Sequence, residues 1–489
     1  MLGSRGGLGI SPDSVDYVVA ARNLADGVGY LDLSGRVATN FPPLFPLLLS
    51  AGQRLGVSAA DSARFVNAAA LALIVVLAFA LLRRVVTSRV ITIAATGAVA
   101  CSPLLLRLST MVWSEPLFVV FVMASLLCLT IVAVAAPGCA RDLALAGGAA
   151  TAAAGFMVRY AGLALIGLGL VTVVLLLWRE SWRSLVVRVA VWVLIAGGVP
   201  LLWYLRNRSE SSSEPLGPRV GTHEGPARLA RLLGGALARL PDLGPPAFGV
   251  VVVVGLIVVA CFALVPPPRT STRVSWLRPL VPLVVFLPGY LAFASVSRLT
   301  AGSDLDWRIL APAWVPLVVV VAVGVERILV IAERAQRDTL VRALAVVAAG
   351  TVLVSGVVFF VRVAQPPDRV DQVGALSASP LTDAARRKAP STVLSNNPWE
   401  LAYREPTMPA DLAFTPMRPG LSHRSLTTGA AVGLACVGPV WLAWFHTGGE
   451  ASHPVLPGTA LSLRAGVNFA DGTLFRVVPS AKSCHKVGT

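Results

Sequence analysis

Asp142–Trp178 reads DLALAGGAATAAAGFMVRYAGLALIGLGLVTVVLLLW, an apolar stretch broken only at Arg159-Tyr160. It is either one long tilted helix or two short spans that turn at that pair. A span needs about 20 mostly apolar residues. The remaining candidates are residues 62–82, 90–109, 114–136, 185–205, 247–265, 277–297, 309–331 and 340–363. With a hairpin of 142–158 and 160–178 the spans number ten, and their loops alternate in charge. Odd loops carry Arg83, Arg84 and Arg89; Arg141; Arg179, Arg183 and Arg188; Arg269, Arg273 and Arg278; and Arg327, Arg334, Arg337 and Arg342. The short loops opposite carry Arg107, Arg159, Arg298 and Arg308. A single span would move ten of the odd-loop arginines to the other face. The excess of Lys and Arg in cytoplasmic loops therefore favours the hairpin and places the odd loops inside. The N-terminal segment, the 206–246 loop and the chain after about 364 are then expected outside.

Composition agrees with a membrane. The 489 residues are 55% hydrophobic and 13% charged, with mean hydropathy +0.74. A soluble chain of this size could not bury that much apolar surface, so a bilayer must be the solvent. The net charge of +16 invites a nucleic-acid reading. The arginines sit between apolar runs instead of forming a basic patch interleaved with aromatics, so no nucleic-acid partner is expected. Only Lys388, Lys482 and Lys486 of the 41 Lys and Arg residues are lysine. That bias fits a GC-rich genome such as an actinobacterium's, and it concerns codons, not function. Cys101, Cys128, Cys139 and Cys261 have no metal-type spacing, whereas Cys436 and Cys484 could pair if the C-terminal region is external.

The external segments carry the chemistry. Residues 11–29 read SPDSVDYVVAARNLADGVG. Ser11-Pro12-Asp13 starts a helix, and Gly27 and Gly29 end it. Asp13 and Asp16, three apart, share one face, with Val15, Val18 and Val19 expected toward the bilayer. Either acid could also be a first-turn residue favoured by the helix dipole. Phe41-Pro42-Pro43-Leu44-Phe45-Pro46-Leu47-Leu48-Leu49 is too short to span, and its prolines argue against a regular helix before Leu47. An interfacial segment fits it. Trp113-Ser114-Glu115-Pro116 opens a span, with Ser114 able to cap and Pro116 suited to the first turn. A carboxylate at that depth is a functional candidate. Asp13, Asp16 and Glu115 together could hold a divalent cation (Mg, Mn or Ca) through oxygen ligands. Arg159-Tyr160, Trp203-Tyr204-Leu205-Arg206-Asn207 and the Asp304, Asp306 and Arg308 of SRLTAGSDLDWRILAP lie on the same expected side. Their arginines either snorkel to headgroups or converge on a phosphate, whose geometry guanidinium matches. The tail from about 365 gains Pro, polar residues and short β-type runs, and reads as a small α/β domain. No phosphate-binding glycine loop, nucleotide fingerprint or Ser/His/Asp arrangement is present, so no nucleotide cofactor is expected.

The order of these pieces resembles the GT-C superfamily of polyprenyl-phosphate-sugar glycosyltransferases. The bacterial relatives of dolichyl-phosphate-mannose–protein mannosyltransferases, with the lipid A aminoarabinose transferases, look closest. The pieces are SPDSVDYVVAARNLADGVGY, FPPLFPLLL, WSEPLF, VRYAGLAL, WYLRN, DLDWRILAPAWVP and a trailing VLSNNPWELAY. The resemblance implies a polytopic α-helical membrane domain over 1–364 and an extracytoplasmic α/β domain over 365–489. It implies that an acid of the first external loop (11–61), Asp16 or Asp13, is the catalytic base. Glu115 would lie near a metal or acceptor, and Arg308 would bind the lipid phosphate. Arg159 and Arg206 would help, with Tyr160 and Asp306 beside them. The first-loop acids are Asp-x-x-Asp, not the adjacent acidic pair of the eukaryotic protein mannosyltransferases, so which Asp is the base stays open. A first span usual in the family is missing before Ser11, as a late start codon would leave it. The expected activity is transfer of a sugar from a polyprenyl-phosphate donor, mannose or arabinofuranose among the reasonable sugars. The acceptor would be a hydroxyl on an envelope glycan, lipid or protein, at the outer face of the plasma membrane. A lipid-sugar flippase, or an inactive homologue, is the competing reading.

Overall fold

The computed structural model describes residues 8–334, apart from 33–34, 211–214, 218, 220, 243–244 and 267–275. Beyond these it describes 379–388, 392–395, 410–412, 435–445, 461–479 and 484. Its helices are α1 Pro12–Ala25, α2 Leu44–Arg54, α3 Ala59–Val85, α4 Arg89–Ala100, α5 Pro103–Ser109, α6 Glu115–Val134, α7 Cys139–Val158 and α8 Gly162–Leu177. There follow α9 Trp182–Glu210, α10 Pro226–Arg239, α11 Pro246–Phe262, α12 Val281–Ala301, α13 Trp307–Leu310, α14 Trp314–Arg334 and α15 Pro380–Arg386.

Nine of the ten expected spans fall on these helices, and the tenth, 340–363, lies outside the described residues. Among the described residues five helices are long and apolar enough to cross a membrane, or six if the bent α4–α5 pair is one span. Helices α8 and α11 are shorter apolar helices. The expected span 90–109 is thus broken, with a 40° bend between α4 and α5. Pro103 causes this, because it has no N–H for the ladder and its ring clashes with the preceding turn. Ser102 restarts the helix: its Oγ accepts from Leu105 N at 3.5 Å and from Trp314 Nε1 at 3.0 Å. The hairpin at 159–160 is present. Arg159 is extended (φ −148°, ψ 139°) and separates α7 from α8. Helix α9 has 29 residues, about 43 Å at 1.5 Å per residue. It is therefore longer than a core of about 30 Å requires, and its last turns carry Trp203, Arg206 and Asn207.

Two expectations near the N-terminus are corrected. Val15, Val18 and Val19 are buried within the protein, not turned to lipid. Helix α2 begins at Leu44, with Pro46 inside its first turn. The first N–H groups of a helix have no partner within it, so proline there removes nothing.

The chain divides into two compact units. One joins Met1–Gly3, Thr39–Phe45 and Ala63–Gln365; the other joins Ser4–Ala38, Pro46–Ser62 and Pro366–Thr489. The core of the first is a continuous apolar cluster centred on α6, with Phe118, Met123 and Leu126 packed among Leu145, Trp192 and Phe286. In the second, β1 Thr392–Ser395, β2 Ala410–Leu412, β3 Val440–Phe445, β4 Leu461–Phe469 and β5 Gly472–Pro479 form one sheet in the order β2-β1-β3-β5-β4. Strand β1 is parallel to β2 and β3, while β3–β5 and β5–β4 are antiparallel. The β-type runs expected from the sequence, 392–394, 440–445 and 474–478, lie on β1, β3 and β5. One face of the sheet packs Val393, Ala443 and Phe445 on Leu381 and Ala385 of α15. Cys436 and Cys484 form a disulfide. Most of VLSNNPWELAY lies outside the described residues.

Candidate active site

In the first unit, the turn into α6 assembles a charged cluster. Asn67, fully buried, donates from Nδ2 to the Met111 carbonyl at 2.8 Å and fixes the approach. Ser114 precedes α6 in an αR conformation that does not aim its hydroxyl at the helix N-terminus, so it does not cap as expected. Its Oγ accepts instead from Arg159 Nη1 at 3.1 Å. Glu115, 1% exposed, is the first residue of α6. Its Oε1 lies 2.9 Å from Arg159 Nη1 and 3.1 Å from Arg308 Nε. A single carboxylate oxygen thus draws two guanidiniums together.

Each arginine is placed by its own local structure. Arg159 ends α7, where the chain turns into α8. Arg308 lies on the one-turn helix α13. Asp306 caps that helix, accepting from Ile309 N at 2.9 Å, and Tyr290 Oη donates to the Ile309 carbonyl at 2.9 Å. Asp306 is therefore the cap that sets Arg308. The Arg308 guanidinium stacks 4.8 Å from the Trp113 ring centre, and Arg107 sits 4.5 Å from that of Trp307. The two rings are 6.2 Å apart. Such stacking gives about 1 kcal/mol or more per pair when desolvated.

Tyr160 points into a different cluster of the same unit. Its hydroxyl donates to the Thr39 carbonyl at 2.8 Å and accepts from Trp203 Nε1 at 3.2 Å and Asn207 Nδ2 at 3.3 Å. Asn207 also donates to the Pro215 carbonyl at 2.8 Å and accepts from Arg206 Nη1 at 2.9 Å. Arg206 stacks over Trp203, and Arg219 over Tyr160. The turn residues 159 and 160 so divide between an ion cluster and a neutral hub.

Asp13 and Asp16 belong to the second unit. Ser11 and Ser14 form a reciprocal capping box around the start of α1. Asp16 is 8% exposed, and its Oδ2 has no hydrogen-bond partner. Burial pushes its carboxyl well above the usual range, and the like charges of Asp13 and Asp32 add to this. Asp32 holds a tight loop, with its Oδ1 accepting from Arg36 N at 3.0 Å and Gly35 at φ +70°.

The residues do not fit the expected three-carboxylate metal site. Among the described residues no group of three or more His, Cys, Asp or Glu is placed to hold a metal. Glu115 is bound to two arginines, a field that repels a second cation. Trp113, Trp307, Asn207 and Asp32 were missed as working residues. The first two stand within the motifs WSEP and DLDWR, beside the charges they support. Asp32 lies in Asp-Leu-Ser-Gly, a turn signal.

The profile of the dolichyl-phosphate-mannose-protein mannosyltransferase family matches residues 30–209. Among solved structures, ArnT from Cupriavidus metallidurans matches in the apo state with TM-score 0.61 and 14% identity over 98% of this chain and 96% of that one. The same protein bound to undecaprenyl phosphate matches with TM-score 0.60 and 13% identity over the same shares. The chain has the GT-C fold. The arabinofuranosyltransferase AftD from Mycobacteria, as a mutant, matches with TM-score 0.56 and 16% identity over 98% of this chain and 40% of that one. The comparison with curated proteins finds no match. The GT-C resemblance read from the motif order is borne out, and the chain is a multi-pass, mainly helical membrane protein with a small C-terminal sheet.

Proposed function

We propose that the chain is an integral-membrane glycosyltransferase that moves a sugar from a polyprenyl-phosphate donor to an acceptor hydroxyl on the extracytoplasmic face. The observation that carries this reading is the pair Arg159 and Arg308 drawn onto one oxygen of Glu115, at the end of the apolar helices, with indole rings beside them. Nucleotide sugars do not cross to that face, so a lipid-linked donor is the natural substrate. ArnT, which shares the fold, is known bound to undecaprenyl phosphate.

Arg308 and Arg159 hold the donor phosphate, and Arg206 and Tyr160 support the same end of the layer. Asp16, or Asp13 in its place, takes the proton from the acceptor hydroxyl. The acceptor oxygen forms its bond to the anomeric carbon as the bond from that carbon to the phosphate oxygen breaks. The polyprenyl phosphate leaves with its charge on the arginines, and a single displacement inverts the anomeric centre. A raised carboxyl suits the base role, because a stronger conjugate base takes the proton more readily once ionised. No step is assigned to a metal. The C-terminal domain, 365–489, shares the extracytoplasmic side, where an envelope glycan, lipid or protein supplies the hydroxyl.

The test gives the purified full chain a panel of radiolabelled polyprenyl-phosphate sugars, mannose and arabinofuranose included, with a membrane extract as acceptor pool. Label in a new product, lost in Asp16→Asn, is expected. Flipping of donor lipid in liposomes with no transfer from any donor overturns the reading in favour of a transporter.

A further inference from the structure

The turn from α8 into α9 repeats a dipeptide: Trp178-Arg179 follows α8 and Trp182-Arg183 opens α9. Both indoles are among the most exposed aromatics of the described residues, at 61% and 70%. Each carries its own arginine, with guanidinium carbons 5.1 Å and 5.7 Å from the ring centres. Nothing in the transfer reaction uses these four residues.

Their setting says what covers them. Leu175 of α8 and Val186 and Val187 of α9 are exposed, and apolar side chains on the outside of membrane helices face acyl chains. The two Trp-Arg pairs stand where this apolar surface ends, the depth at which indoles settle between hydrocarbon and headgroups. The charge is unbalanced in one direction. Glu180, within the loop, is held by Arg141 and Arg188, and Asp142 is also held by Arg188. Arg179 and Arg183 have no carboxylate partner among the described residues and are exposed. The Glu180 clasp fixes the loop, so the two cations are presented together.

We infer that the α8–α9 loop is a binding site for an anionic phospholipid of the surrounding leaflet. Its phosphate lies between Arg179 and Arg183, its glycerol region against Trp178 and Trp182, and its chains along α8 and α9. The site is separate from the donor phosphate site and stands whether or not the transfer reading holds.

The test is lipid binding to the purified full chain in detergent, read by native mass spectrometry, with phosphatidylglycerol and phosphatidylcholine as probes. Wild-type protein is expected to prefer phosphatidylglycerol. Arg179→Gln with Arg183→Gln should weaken phosphatidylglycerol roughly fivefold per arginine and leave phosphatidylcholine unchanged. Trp178→Ala with Trp182→Ala should weaken both lipids. Arg83→Gln with Arg84→Gln, an exposed pair on the same expected side without tryptophans, should change neither. Equal binding of the two lipids by the wild type overturns the proposal, even if a variant fails to fold. An equal loss from the Arg83/Arg84 pair also overturns it, because it would reduce the effect to general basic charge.

Discussion

Helix α7 has an arginine at each of its ends that joins a second arginine on one glutamate, and the two clusters are built differently. At its start, Glu180 receives Arg141 Nη1 on Oε1 and Arg188 Nη1 on Oε2, both at 2.6 Å. Ser184 donates to Oε2 at 2.9 Å, and Arg188 Nε reaches Asp142 at 2.9 Å. Two cations meet two anions, and both oxygens of Glu180 are engaged. At its far end, Arg159 and Arg308 converge on the single Oε1 of Glu115 as ion pairs, and neither oxygen of Glu115 takes a hydrogen bond. The 20 residues of α7 put about 30 Å between the clusters, the depth of a bilayer core. A complete network is a staple. The other, with one oxygen facing both guanidiniums and the Trp113 indole behind Arg308, is on our proposal the end that meets a phosphate.

The largest expected effect comes from breaking the Glu115 cluster. Arg308→Gln should lower transfer about 10²–10³-fold, the usual cost of losing one donor to a developing oxyanion, with thermal stability near wild type. Steady-state transfer from a polyprenyl-phosphate sugar measures it. Transfer within twofold of wild type would remove Arg308 from the phosphate site and erase the contrast between the two ends.

The complementary break is at the staple. Glu180→Gln leaves Arg141, 2% exposed, as a buried cation without its counter-ion. Removing one partner of a buried pair costs about 3 kcal/mol or more. Thermal unfolding should fall by several degrees while KM for the donor stays unchanged. The opposite pattern, intact stability with lost donor binding, would make the Glu180 end a substrate site.

A smaller effect is expected at the hub. Tyr160→Phe removes one hydroxyl with three hydrogen bonds and leaves the ring. It should raise KM for the donor several-fold with little change in kcat, because the hub sets the turn that carries Arg159 without touching the reacting atoms. A fall in kcat alone would assign Tyr160 to the chemistry.

Much of this was legible in the residues. Apolar runs of span length, separated by arginine loops, gave the helix order, because a bilayer demands such runs. The Arg159-Tyr160 turn followed from loop charge alone. The partnership of Glu115 with Arg159 and Arg308 was not legible, because those residues stand far apart in the chain and meet only once the helices pack. Nor could spacing distinguish a metal ligand from an arginine partner at Glu115, since a carboxylate serves either. The Pro103 bend and the start of α2 at Leu44 were misread for one reason. Proline breaks a ladder in mid-helix and costs nothing in a first turn, and sequence alone did not say which turn each occupied.

Glu180 and Asp16 differ in the charges that face them, and this gives the smallest and most specific prediction. Glu180 is partly buried, which alone would raise its carboxyl. The hydrogen bonds from Arg141 and Ser184 outweigh that and hold it below the usual range. Asp16 is raised by burial and then by Asp13 and Asp32, both like charges. As the base, Asp16 works only when ionised. The acid limb of the transfer rate should therefore lie above the ordinary carboxylate range of about 4. Asp32→Asn removes one like charge while keeping an oxygen to accept from Arg36 N. The Asp16 carboxyl should then fall, and the acid limb should move to lower pH. The variant would be more active than wild type on the acid side and nearly equal to it at neutral pH. Stability should follow the same sign. With the folded value above the unfolded one, stability falls as pH rises between them, and Asp32→Asn should reduce that fall. A limb that stays in place, or moves upward, would mean that Asp16 is not the group whose ionisation limits the rate, and Asp13 would take the base role.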